Sequence, residues 1–328
     1  MPKLFRYGAA IAALAFIIFK FISFTPASNL PIVAITQIIS HKTLDTVRAG
    51  LINRLEKQGF IDGKTIKIIY DNANGNPAVA AQITKKFIGL KPSVIVALST
   101  TSAQLLLKPA QEAQIPLVFS AVTDPIAAKL VTSYDKTDQG ITGISDYMPA
   151  EPQLEMMMAF VPHMVKLGVL YNPSEANSVA FLAQIEQEAN KRGLTFVRGI
   201  VTSTAEAAEV TKSLIGKVDA LFFPNDNTTM AAAATVANVA LQNQVPLFAN
   251  DLESVKDGAL AAVAYDRIAM GEKTAEIVGG ILSGKTLSAY PVSHDVISEI
   301  VVNGTTLNRL ERLVPEALEK RIRVVGEN

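Results

Sequence analysis

The sequence predicts an α/β protein built as two doubly wound, Rossmann-like lobes joined by a multi-strand hinge. Three observations carry this. Short apolar runs rich in β-branched residues alternate with segments of helical periodicity, the signature of a parallel sheet covered on both faces. The alternation begins afresh after residue 150. The chain has 328 residues, more than one compact core usually takes.

Taken in order, residues 31–36 form the first apolar strand, and 43–58 carry Leu44, Val47, Leu51, Ile52 and Leu55 at helical spacing. Strands follow at 64–70, 93–98 and 116–119, with helices at 77–90 and about 101–113 between and after them. The second round has a helix at 151–161, a strand at 166–170 and a helix at 174–192, for which Ser174 is the expected N-cap. Then come a strand at 195–200, a helix at 204–216 and a strand at 218–223. An alanine-rich helix at 227–242 and a strand at 246–248 close this half.

A third section differs. It reads as a strand at 259–264, a helix at 267–282, two late strands at 290–296 and 299–302, and a short helix after Asn303-Gly304. A segment added to a complete second half suggests that the chain returns to the first lobe, and several crossings make a hinge. The expected division is a leader at 1–28, a first lobe at 29–122 plus about 265–288, and a second lobe at 123–264 plus about 289–328 with the tail. No long Gly/Ser or Pro-rich linker separates the halves, so they are expected to meet across a cleft.

The leader has Lys3 and Arg6 before an apolar run at 8–19, and Thr25-Pro26-Ala27 supplies small residues for cleavage. Lys20 interrupts the run, so an uncleaved N-terminal anchor competes with a signal peptide. Either reading places the working protein outside the cytoplasm. With 30 basic and 30 acidic residues, scattered, there is no phosphate-tracking patch and no expectation of nucleic acid. The absence of cysteine excludes disulfides, thiolate metal sites, a cysteine nucleophile and a lipid-bearing cysteine.

Polar residues collect where apolar strands end: Ser99 to Ser102, Ser120 to Pro125, Ser145-Asp146, Tyr171-Asn172, Pro224 to Asp226, Asn250-Asp251 and Tyr265-Asp266. One such cluster is commonly a helix cap. Seven, at the carboxyl ends of strands in both halves, indicate a ligand cleft. Hydroxyls at Ser99, Thr100 and Thr101 suit a carboxylate; Asp146, Glu175 and Asp226 suit an ammonium. Phe119, Tyr171, Phe248 and Tyr265 offer walls for an apolar or aromatic side chain. A small zwitterion such as an amino acid satisfies all three, and a sugar or nucleoside stays open.

Signatures of catalysis are lacking. There is no G-x-G-x-x-G after a strand, no P-loop and no G-x-S-x-G elbow, so no cofactor is expected. The three histidines, His41, His163 and His294, are too scattered to hold a metal. His41, at a cleft-facing position after the first strand, is read as holding its loop, with a ligand contact as the alternative; His163 and His294 are read as surface residues, and Met156 to Met158 as core packing.

The residues then resemble a known family. Ile35-Thr36-Gln37 with His41 and Leu44-Asp45, Gly50 with Leu55, Gly59-Phe60 and Ser99 to Gln104 carry the likeness. So do Val122 to Pro125, Gly143 to Asp146, Tyr171 to Ser178 and Pro224 to Asn227. Over residues 32–302 the chain resembles the substrate-binding proteins of ABC importers, of the type I periplasmic binding-protein fold, and most closely the tryptophan- and tyrosine-binding subfamily. The resemblance implies a three-segment hinge, closure on one ligand and docking on a membrane permease, with the receptor a periplasmic monomer. It implies ligand contacts from Thr100, Thr101, Ser120 and Thr123 in the first lobe. From the second it implies Asp146, Tyr171, Ser174, Glu175, Asn177, Ser178 and Asp226, with Asn250 and Asp251 near the floor. Ser174, Asn177 and nearby amides are expected to hold the carboxylate, with the first-lobe hydroxyls contributing, and Asp226 the ammonium, together with Glu175 or Asp146 as alternatives. The alternatives are a sensor feeding a membrane receptor, a ligand-binding regulator, for which a helix-turn-helix is missing, and an α/β enzyme, for which no nucleophile–base pair is evident.

Overall fold

The computed structural model describes residues 30–135, 140–294 and 298–326. The leader at 1–28 lies outside them. Two sheets form the frame. The first has strands β1 (Ile32–Gln37), β2 (Lys67–Asn72), β3 (Val94–Leu98), β4 (Leu117–Val122) and β5 (Ile141–Ser145), in the spatial order β2-β1-β3-β4-β5 and parallel throughout. Its helices are α1 (Lys42–Lys57), α2 (Pro77–Leu90) and α3 (Thr100–Glu112). Successive strand residues point to opposite faces. Ala34, Ile95, Leu117 and Phe119 enter one core layer, and Val33, Ile35, Val96 and Val118 the other.

The second lobe opens with α4 (Ala150–Phe160), β6 (Lys166–Tyr171), α5 (Ala176–Lys191) and β7 (Thr195–Ile200). It continues through α6 (Ala207–Leu214), β8 (Ala220–Phe222), α7 (Asn227–Ala231), α8 (Ala233–Gln242), β9 (Leu247–Ala249), α9 (Leu252–Lys256) and β10 (Ala261–Tyr265). After α10 (Arg267–Leu282) come β11 (Ser298–Asn303), α11 (Gly304–Arg309) and β12 (Ile322–Val325). The second sheet runs β12-β11-β10-β9-β8-β6-β7. Strands β6 to β10 repeat the topology of β1 to β5; β11 then joins antiparallel to β10.

The first lobe extends further than the boundary expected at 122. Strand β5 pairs with β4, and Ile144 bridges Ser293, so the chain crosses at 146–149, at 266 and between 293 and 298. After the second crossing α10 packs on α1 at the shortest possible range. A Cβ on Gly50 would sit 2.5 Å from Ile268 O, and one on Gly271 only 2.1 Å from Val47 O, so both positions must lack a side chain.

Local chemistry sets the helix starts. Asn76 Oδ1 accepts from the N–H groups of Ala78 and Val79, with Pro77 at the first turn. Asp251, Asp266 and Asn303 cap α9, α10 and α11 in the same way. The helix expected from Ser174 begins at Ala176, because Ser174 turns back to Asn172: its N–H and Oγ lie 3.0 and 2.6 Å from Asn172 Oδ1. The helix expected over 227–242 is interrupted at Ala232, which leaves helical geometry at φ −106°, ψ 11°. Between 290 and 294 only the Ser293 bridge forms, and 295–297 of the expected strand lie outside the described residues.

Candidate functional site

The carboxyl ends of both sheets face each other, and the lobes touch. A partly open cavity of about 20 Å³ lies between them, the room of roughly one water, so a larger ligand enters only as the lobes move apart. Its first-lobe wall comes from the N-termini of α1 and α3 and from the turn after β4: His41, Thr43, Leu44, Ser99, Thr100, Ala121 and Thr123. Its second-lobe wall is Asn177 at the start of α5, Asn225 after β8, and Asn227 and Met230 on α7. Asp146 and Arg267, on the first two crossings, form the floor.

Donors gather on the first lobe. Ser99 stands at the N-cap of α3 with φ 85° and makes no side-chain cap, so the first-turn N–H groups of this 13-residue helix point toward the cavity without an acceptor from their own cap. The Thr100 hydroxyl lines the cavity, buried and without a partner; the Thr101 hydroxyl is also buried and unpaired but does not line it. Such a cluster suits an anion.

Acceptors gather opposite. Arg267 Nη1 donates to Asp146 Oδ2 at 2.6 Å, and Asn225 Nδ2 donates to the same oxygen at 3.0 Å, while Arg267 Nη2 reaches Asn225 Oδ1 at 3.4 Å. Asp146 Oδ1 has no partner. Asn177 donates from Nδ2 to Asn225 O at 2.5 Å and to Glu175 Oε2 at 3.2 Å, which fixes the amide and leaves Asn177 Oδ1 unpaired. Two buried oxygens without a proton donor suit an ammonium. The Asp146–Arg267 pair is neutral as a unit, so a bound ammonium adds its charge beside a carboxylate whose desolvation is already shared.

Several expected contacts serve the frame instead. Glu175 Oε1 accepts from Thr228 N and Oγ1 at 3.0 and 2.7 Å, and Oε2 from Asn227 N at 2.9 Å, tying the start of α5 to the start of α7. Asp226 Oδ2 accepts from Asn172 N at 2.6 Å and Oδ1 from Thr229 N at 2.7 Å. Neither carboxylate lines the cavity, and neither has a free oxygen for an ammonium. Burial, with Glu175 nearby, pushes the Asp226 carboxyl up to about 7 against the pull of its donors. Ser174 is exposed on the outside of its turn. Ser120 Oγ lies 2.8 Å from Thr274 Oγ1 beneath the cavity wall. Asp251 caps α9 and receives Thr43 Oγ1 at 2.8 Å. Asn250 and Ser178 are buried with unpaired side-chain polar atoms and do not line the cavity.

Of the expected aromatic walls, Phe119, Tyr171 and Phe248 belong to the cores of the lobes, and Tyr265 donates its hydroxyl to Tyr147 O at 2.5 Å. Burial and the adjacent Asp146 push that phenol up to about 12. Leu44, Ala121 and Met230 supply the apolar wall. His41 lines the cavity, with Nε2 3.5 Å from Asn227 Oδ1 and Nδ1 unpaired. Arg267 is the residue that sequence reasoning missed. Its signal was its place directly after Tyr265-Asp266, at one of the strand ends where polar residues collect.

Two similar α/β lobes of mostly parallel strands, joined by several chain crossings, have the architecture of type I periplasmic binding proteins. The chain belongs to the ABC transporter substrate binding protein family, whose model matches residues 32–325. It is 34% identical over 279 residues to a tyrosine-binding protein of Clostridioides difficile (strain R20291), covering 85% of this chain and 80% of the relative. A solved structure from Streptococcus pneumonia, described as an ABC domain in complex with L-Trp, is 29% identical, with a TM-score of 0.85 over 90% of this chain and 100% of that one. A ligand-free, open substrate binding protein with adhesive properties from Clostridium difficile is 33% identical, yet reaches a TM-score of only 0.67 over 91% of this chain and 100% of that one. The better fit to the ligand-bound relative agrees with lobes that touch. No helix among the described residues is long and apolar enough to cross a membrane.

Proposed function

We propose that this chain binds one aromatic amino acid as a zwitterion in the interlobe cavity and presents it, without chemical turnover, to an ABC permease. The leader at 1–28 exports the receptor or tethers it outside the cytoplasm, where ABC substrate-binding proteins work. The observation that carries the ligand class is the separation of unpaired buried groups. Thr100 Oγ1, with the uncapped start of α3, offers donors on one side. Asp146 Oδ1 and Asn177 Oδ1 offer acceptors on the other. The carboxylate binds the first group and the ammonium the second; Thr123 adds a polar edge, and Leu44, Ala121 and Met230 meet the side chain. A sugar has no charge to match this polarity. The names of the tyrosine- and L-Trp-binding relatives support the aromatic class.

Calorimetry on the refolded, ligand-stripped chain tests the reading, with the amino acids, their N-acetyl and amide derivatives, sugars and nucleosides as titrants. One-to-one binding of L-tyrosine or L-tryptophan, lost on acetylation or amidation, is expected. Preference for a sugar or nucleoside overturns it.

A further inference from the structure

We propose that His41, Lys42 and Thr43 form a latch that holds the lobes closed and sets how long a ligand stays. The inference rests on the solute-receptor reading and concerns the regulation of that same cavity. Three consecutive residues at the start of α1 reach three different points of the second lobe. His41 Nε2 lies 3.5 Å from Asn227 Oδ1 on α7, and Thr43 Oγ1 donates to Asp251 Oδ1 at 2.8 Å at the cap of α9. Lys42 Nζ pairs with Asp257, just beyond α9.

Their placement gives the latch its role. Beside the ligand cavity lies a second, partly open hollow of about 190 Å³, lined by Lys42, Ala234, Glu253, Ser254 and Asp257. His41, Thr43 and Met230 line both spaces and form the partition between them. Lys42 and Asp257 border only the outer hollow. The three bonds differ in strength. Thr43 and Asp251 are both buried, and a hydrogen bond to a buried carboxylate is among the stronger kind. The Lys42 side chain is 62% exposed, which screens its ion pair. Thr43 therefore bears most of the closing free energy, and Lys42 fastens the outer rim. Because the bonds span the lobes, they stabilise only the closed state and act on ligand release rather than on encounter.

The test uses release kinetics and lobe separation together. The native sequence has no cysteine, so spin labels on Lys85→Cys and Glu209→Cys, one exposed site per lobe, report the distance between lobes by pulsed electron resonance. Thr43→Val is expected to shift the ligand-free distance distribution toward the open form. It should also raise the release rate of the amino acid identified by calorimetry by about ten-fold or more, the equivalent of losing one charge-assisted hydrogen bond. Lys42→Asp is expected to speed release about two- to five-fold, and Lys42→Asp with Asp257→Lys to restore it, with the order of ligand preference unchanged in both. Unchanged distances and release rates in Thr43→Val, or no rescue by the charge swap, overturn the latch. The distance measurement needs no ligand, so it judges the latch even if the aromatic amino acid assignment fails.

Discussion

Arg267 Nη1 lies 2.6 Å from Asp146 Oδ2, so one buried ion pair fastens the second chain crossing to the first at the floor of the cavity. Asn225 from the second lobe bonds both partners. The site's one unshared carboxylate oxygen is thereby held by the hinge itself. Replacing Arg267 by Met leaves Asp146 buried without its counter-charge. Such a change is expected to lower stability by about 3–5 kcal/mol, measured by urea unfolding. Asp146→Asn keeps the Asn225 and Arg267 contacts through its carbonyl and is expected to weaken amino acid binding at least ten-fold by calorimetry. Unchanged affinity in that variant would remove Asp146 from the ammonium site.

The Asp226 carboxyl belongs to the frame of the second lobe. Its folded value of about 7 stands above the ordinary 3.8, so between the two the folded chain holds a proton that the unfolded chain releases. The stabilisation this provides is complete below about 3.8 and is lost as pH rises through about 7. The stability of the native protein relative to Asp226→Asn should therefore grow as pH falls from 8 to 5, by up to about 1.4 kcal/mol per pH unit. A flat difference across that range contradicts the assignment.

His41 predicts a second pH dependence with the opposite sign. Burial in the closed form lowers its pKa, while Asp251, the Asn227 hydrogen bond and Asp45 raise it and Arg267 lowers it further. The closed form binds a proton less readily than one in which the imidazole is wet. Acidification below 6.5, the unperturbed value, should favour opening and weaken ligand affinity. His41→Gln should flatten the affinity profile between pH 5 and 7.

Two substitutions separate packing from binding. Gly271→Ala places a methyl group against the backbone of α1 and is expected to cost about 1–3 kcal/mol of stability. Ser174→Ala, at an exposed turn, is expected to leave ligand affinity within two-fold, in contrast to Asn177→Ala, which removes an unpaired oxygen from the cavity wall.

Much of the frame is legible in the residues because buried parallel strands must be continuously apolar, as Val94 to Leu98 and Leu167 to Leu170 are. Sheet membership is harder, since pairing is non-local: nothing inside Ile141 to Ser145 says that it joins β4 rather than opening the second lobe. Strand β12 follows irregular segments and carries too short an apolar pattern to announce itself. The site shows a sharper limit. An acidic residue after a strand looks the same in sequence whether it faces a ligand, like Asp146, or caps a helix, like Asp226 and Asp251. Only the geometry of its two oxygens tells them apart. Arg267 hid for a related reason: a cation at a helix start opposes the helix dipole and reads as incidental until its partner Asp146 is brought beside it.

The contact of Gly50 with Ile268, and of Gly271 with Val47, has a consequence for the order in which the chain folds. Helix α1 leaves the ribosome long before α10, so the strip around Val47 and Gly50 that α10 covers stays open until most of the chain has been made. Closing so long a loop is slow. Strands β1 to β5 and β6 to β10 are each contiguous in sequence, but only the first lobe also needs the late helix α10. The N-terminal half is therefore the last to become native. A receptor whose first lobe is completed only by a late helix cannot close on its ligand before most of the chain has been made.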